Sequence, residues 1–294
     1  MKRAIRSAWL AVCCAAFAAP AHAAQPEQQG PPASAAPRPA PPVSPYVPPS
    51  QGAPRSAAAD LAMYDKCMDL TKTDPAAARD MAAHWQERGG AHPADHCYAI
   101  ALVALKQYTD GATRLETLAK AIAARAPVSL RAEVFDQAAQ AWLLAGDAGR
   151  AYAADSQALE LLPNDADILL DRAEAAGSAG WYDKATSDLD RVLKTDPKRA
   201  DALVYRATAY RELGRLDEAL ADIDRALALA PNSASALLEQ GNIRRLKGDL
   251  DGARKDWLRV SELAPGSTTD AEAKSNIERL EQPAEPPPAP APKQ

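Results

Sequence analysis

Residues 200–231 read ADALVYRATAYRELGRLDEALADIDRALALAP. A large apolar residue, Leu203, and a very small one, Ala207, precede the turn residue Gly214; Ala219 and Ala226 follow it seven positions apart, and the stretch closes on Pro231. Residues three, four and seven apart share one face of a helix, so the stretch predicts two amphipathic helices that meet at Gly214. Glycine suits the end of the first helix because it enters the left-handed backbone region at little steric cost. Proline stops the second helix because its ring fixes φ and removes a donor.

The same layout recurs every 34 residues. Pro163, Pro197, Pro231 and Pro265 are evenly spaced, and Gly146, Gly180, Gly214 and Gly248 each stand 17 residues before one of them. Eleven residues before each glycine comes Phe135, Leu169, Leu203 or Leu237, and seven before it Ala139, Ala173, Ala207 or Gly241. A lone hairpin cannot bury its apolar face, so equal hairpins in series predict a stacked array rather than a fold built round one pocket.

Leu-Gly-Arg-Leu-Asp-Glu-Ala at residues 213–219, closed by Ala-Leu-Ala-Leu-Ala-Pro up to Pro231, resembles the tetratricopeptide repeat. Four units in register, 132–165, 166–199, 200–233 and 234–267, carry that resemblance over 136 residues. It implies an all-α, right-handed α-solenoid whose first helices line a concave groove for an extended peptide or a partner's helix. Transferred by position, the groove residues are Glu133, Asp136 and Gln140, then Asp167, Leu170 and Glu174, then Asp201, Val204, Thr208 and Arg211, then Leu238, Asn242 and Arg245. Carboxylates gather in the first two units and arginines in the last two. Leu170, Val204 and Leu238 are equivalent, and form either an apolar strip for a partner or packing against neighbouring first helices. The clamp that grips a C-terminal carboxylate in chaperone-binding members is missing, since Asp136 and Gln140 stand at its opening positions.

The chain departs from the family pattern at three sites. Arg172 and Arg206 occupy an apolar position eight before the glycine, and Asp155 replaces an aromatic or aliphatic residue nine after the first glycine. Buried charges need partners. Pairing of the arginines with second-helix carboxylates among Asp155, Asp188, Asp190 and Asp222 predicts a ladder between hairpins; side chains that snorkel to water are the alternative.

Upstream, residues 57–131 read as degenerate hairpins. A helix over 57–73 is followed by Asp74-Pro75, which opens a second that Gly89-Gly90 closes. Helices over 93–106 and 109–125 follow, with Ala126-Pro127 as the breaker. That makes about six hairpins in all, and residues 269–281, with Ala273, Ile277 and Leu280 on one stripe, predict a capping helix.

Lys2, Arg3 and Arg6 precede an apolar run from Ala8 to Ala19, and Ala21-His22-Ala23 is a small-x-small cleavage site, so residues 1–23 read as a secretory signal peptide. The run is short of the roughly 20 residues a spanning helix takes. A lipoprotein is the weaker reading, because Cys13 and Cys14 follow Val12 and Cys13. Cleavage removes three positive charges and takes the formal net charge from −5 to −8, a surface that disfavours nucleic acid and anionic lipid. Residues 24–56 and 282–294 are Pro- and Ala-rich and predict disordered segments. The expected location is periplasmic or secreted, with no stable membrane insertion after cleavage.

Cys67 and Cys97 remain in the mature chain, 30 residues apart and close to one repeat. In an oxidising compartment they predict a disulfide; a reduced, packed pair is the alternative. His84, His92, His96 and Cys97, with Cys67, contain ligand types for zinc, but no Cys-x-x-Cys or His-Glu-x-x-His occurs. The second functional reading, a secreted metal-binding or accessory protein, rests on that cluster. No Gly-x-Ser-x-Gly, phosphate loop or dinucleotide fingerprint is present, and paired acids such as Asp188 and Asp190 diverge on a helix. The expectation is a binding scaffold without catalysis, cofactor or metal, acting on a protein or peptide partner.

Overall fold

A computed structural model describes residues 57–122 and 126–281; the expected signal peptide, the Pro-rich segment at 24–56 and the tail at 282–294 lie outside them. The described residues form helices without strands. The first two hairpins are α1 (Ala57–Thr73) with α2 (Pro75–Glu87), and α3 (Ala91–Ala104) with α4 (Tyr108–Ala121). Then come α5 (Val128–Leu144) with α6 (Ala148–Leu161), α7 (Ala166–Ser178) with α8 (Tyr182–Thr195), α9 (Ala200–Glu212) with α10 (Leu216–Leu229), and α11 (Ala234–Leu246) with α12 (Leu250–Leu263). A lone α13 (Thr268–Glu281) follows. Each helix packs on the next, and successive odd-numbered helices other than α3 and α5 also pack on one another: an all-α solenoid of six hairpins and one further helix.

The periodic residues occupy the positions their spacing demands. Phe135, Leu169, Leu203 and Leu237 are buried, as are Ala151, Ala185, Ala219 and Ala253 on the second helices. Gly180 and Gly214 both sit at φ 74. Behind Gly180, the Trp181 N–H donates to the Ala176 carbonyl at 2.8 Å and the Gly180 N–H to the Gly177 carbonyl at 3.0 Å, a paired closure of the last turn that needs a left-handed residue. The α3–α4 turn makes the same two bonds, Gln107 to Leu102 and Lys106 to Val103, both at 2.9 Å, with Lys106 at φ 62 in the glycine's place. The second hairpin therefore keeps the geometry after losing the residue that announces it.

Small residues fix the closest approaches. A Cβ on Gly241 would stand 2.4 Å from the Trp257 indole nitrogen, so the last repeat has glycine where the others have alanine because a tryptophan fills the space opposite. Trp85, Trp142 and Trp257 are fully buried, one each in α2, α5 and α12.

Hairpin spacing widens once. Four residues separate α6 from α7, α8 from α9, α10 from α11 and α12 from α13, but six separate α4 from α5. Among successive odd-numbered helices, α3 and α5 make the sparsest contact. His96 spans the interval, its Nε2 2.6 Å from Gln137 Oε1 and its Nδ1 2.8 Å from the Tyr64 hydroxyl.

Candidate functional site

The widened interval opens a groove of about 1180 Å³ between α1 and α3 on one side and α5, α7 and α9 on the other. Ile100, Leu118, Leu130 and Val134 give it apolar walls, and Tyr64 and Tyr205 stand at its two ends. Among the described residues nine carboxylates line it against one lysine, Lys72, which is paired with Asp69 at 2.9 Å. The described lining of the groove is strongly acidic.

Of the residues expected to bind, Glu133, Asp136, Gln140, Leu170, Glu174 and Asp201 line this groove. The others stand outside it, each for a visible reason. Asp167 bonds Arg199 at 2.8 Å. Thr208 Oγ1 donates to the Val204 carbonyl within α9. Arg211 is held by Glu239 at 2.6 Å and by Glu212 at 2.7 Å, so its charge is spent between α9 and α11. Asn242 joins Glu239 to Asn276 of α13, and Arg245 is exposed on the last turn of α11.

The apolar strip divides between its two readings, because Leu170 lines the groove while Val204 and Leu238 do not. Leu170 and Leu238 are 3% and 1% exposed, and Val204 is half-buried. Leu238 packs with Trp257 and Val260 in a core and offers a partner nothing. The position one residue further on also lines the groove, as Gln137, Asp171 and Tyr205. Periodicity alone could have marked that register. The α1 and α3 wall could not be found this way, because those hairpins lack the repeat.

The sequence reading of the arginines is resolved in favour of pairing. Arg172 bonds Asp188 with Nε and Nη2 at 2.8 and 2.7 Å. Arg206 bonds Asp222 at 2.7 and 2.8 Å and reaches back to Asp190 at 2.6 Å. One guanidinium thus ties its own second helix to the preceding hairpin's. Asp155 takes no part in the ladder. It is fully buried, and neither carboxylate oxygen accepts a hydrogen bond. Burial, reinforced by the charges of Asp136 and Asp171, raises its pKa well above the usual carboxylate range, because an ion is poorly solvated there.

The histidine and cysteine cluster does not converge. Among the described residues, no three His, Cys, Asp or Glu side chains are arranged to hold a metal ion. His96 spends both nitrogens on Tyr64 and Gln137, His84 Nδ1 lies 3.1 Å from the Asp80 carbonyl, and His92 lies 3.9 Å from Asp95 on the surface. Burial lowers the His96 pKa. The sulfurs of Cys67 and Cys97 meet each other, with Cα atoms 6.2 Å apart. No described helix is long and apolar enough to cross a membrane.

The family model for the tetratricopeptide repeat matches residues 170–234 and 206–268. Residues 170–268 are tetratricopeptide repeats. Its array is similar in fold to that of MamA 41-end from Desulfovibrio magneticus RS-1, at 19% identity and a TM-score of 0.51 over 58% of this chain and 94% of the other. A similar likeness holds for TTC0263, a thermophilic tetratricopeptide-repeat protein of Thermus thermophilus, at 20% identity and a TM-score of 0.50 over 64% and 98%. No curated protein matches the chain. Tetratricopeptide repeats supply the hairpins, while the acidic groove arises from this chain's own residues and the wider α4–α5 connection.

Proposed function

We propose that this protein is an exported, non-catalytic scaffold that receives an extended peptide or a helix of another protein in the groove between α3 and α5. The observation that carries the reading is the groove itself: about 1180 Å³, open along successive helices, with apolar walls and polar side chains at intervals. That combination suits a chain with alternating side chains. A photo-crosslinking residue at Gln137, inside the groove, should trap one protein in cells that make this chain, and the same residue at exposed Ser187 on α8 should not. Equal trapping from both positions, or none, would reject the groove.

Export rests on Lys2, Arg3 and Arg6, the apolar run that follows and the small-x-small site at Ala21-His22-Ala23. A periplasmic or secreted location fits a Cys67–Cys97 disulfide, which would staple α1 to α3 across one wall of the groove. Terminal sequencing should find Ala24 first, and thiol titration of the denatured mature chain should find no free thiol.

A further inference from the structure

Where the array widens, three side chains bridge the opening that the helices themselves leave. Tyr64 of α1, His96 of α3 and Gln137 of α5 all line the groove, at the step where successive odd-numbered helices make their sparsest contact. Gln137 Oε1, 2.6 Å from His96 Nε2, can only accept, which assigns the imidazole proton to Nε2. Nδ1 of the neutral ring then accepts from the Tyr64 hydroxyl at 2.8 Å. Tyr64 keeps its proton, because burial, then the charges of Glu133 and Asp65, push its pKa up. An imidazolium carries protons on both nitrogens and can no longer take the one that Tyr64 offers.

We propose that Tyr64, His96 and Gln137 form a proton-sensitive latch that holds the wall made by α1 and α3 to α5, and that acid releases it and widens the groove. Its bearing on a partner, held at neutral pH and let go in acid, rests on the groove reading given above. Around the imidazole, α5 contributes Glu133 and α1 contributes Asp60 and Asp65 beside Tyr64. His92 and Asp95 stand on α3 itself, Asp95 held by Gln86 of α2 at 2.7 Å, and α4 lines the groove with Leu115 and Leu118. Burial outweighs the opposing pulls of the Gln137 bond and the Glu133 charge, and holds the His96 pKa below its ordinary value, which is about 6.5. The latched state therefore takes up a proton less readily than an open one in which water reaches the ring. The latch is complete above the ordinary value and is lost as pH falls through the lowered one.

The test reads the groove without a ligand. Spin labels carried on non-natural residues at exposed Glu87 of α2 and exposed Ser187 of α8 leave both cysteines in place, and double electron–electron resonance on the full mature chain gives the distance across the groove. From pH 8 to pH 5 that distance should lengthen, with the open fraction rising by no more than about tenfold per pH unit. His96→Gln should hold one distance throughout. Tyr64→Phe removes a bond made only to the neutral ring and should move the midpoint to higher pH, a shift that a merely structural contact would not produce; circular dichroism confirms the helical fold of each variant. A distance that ignores pH in the parent, a change that persists in His96→Gln, or a midpoint unmoved in Tyr64→Phe overturns the latch. If position 137 traps a partner while the distance stays fixed, the groove stands without the latch; if the distance responds and nothing is trapped, the latch stands and the groove reading falls.

Discussion

Arg172 holds both carboxylate oxygens of Asp188, with Nε 2.8 Å from Oδ2 and Nη2 2.7 Å from Oδ1. The pair joins α7 to α8, and Arg172 Nη1 continues to Ser156 Oγ of α6 at 3.2 Å. Both partners are largely removed from water, at 16% and 4% side-chain exposure. Losing the guanidinium would leave Asp188 buried with only Arg191, 3.8 Å away. Arg172→Leu is expected to cost about 3–5 kcal/mol in urea unfolding, the range for stripping a buried carboxylate of its partner. Arg206→Leu should cost less, since Arg225 remains 3.0 Å from Asp222. A gain in stability from either change would mean that the ladder does not support the stack.

Lys106 marks a residual cost in the second hairpin. It takes the left-handed conformation that glycine takes in the later repeats, and a side chain there costs roughly 1–2 kcal/mol. Lys106→Gly should raise stability by about 1 kcal/mol, less what glycine's freedom adds to the unfolded chain. An unchanged or lower urea midpoint would count against this account.

At the other end, Gly241 has no room to grow. Its added Cβ would meet the Trp257 ring at 2.4 Å, and an overpacked core typically loses about 1–3 kcal/mol. Gly241→Ala should therefore destabilise the array even though alanine is the better helix former, and Trp257→Leu in the same chain should recover part of the loss. Additive effects of the two changes would show that the residues do not compete for one space.

Asp155 predicts a pH dependence of known sign. Its folded pKa lies above the unfolded value because burial, then Asp136 and Asp171, disfavour the ion. The folded state therefore holds the proton more tightly, and stability falls as pH rises from the ordinary carboxylate value near 4 toward the raised one. Asp155→Asn should melt higher than the parent at pH 7 to 8, and the difference should vanish near pH 3, where both states are protonated. A constant difference across that range would refute the assignment.

Much of this architecture was legible from four glycines and four prolines, because a stacked array repeats its constraints at every turn. Local signals also placed α1 at Ala57–Thr73, while α3 begins at Ala91 rather than Pro93, since a proline is tolerated inside a first turn where no donor is needed. The site was less legible. Leu170 lines the groove while its repeat equivalents Val204 and Leu238 do not, so the register of the repeat does not say where along the array the packing opens. Nothing in the residues of α1 and α3 announces that they form the opposite wall, because that depends on the two extra residues between α4 and α5. Asp155 was visible as an anomaly, but its solitude became apparent only once its neighbours were placed.

The three enclosed indoles sit in different parts of a molecule whose units touch only their neighbours, so each senses a separate stretch of the stack. Variants that keep one tryptophan at a time would turn fluorescence into a positional readout of fraying, distinguishing an array that unzips from α2 from one that opens first near α12.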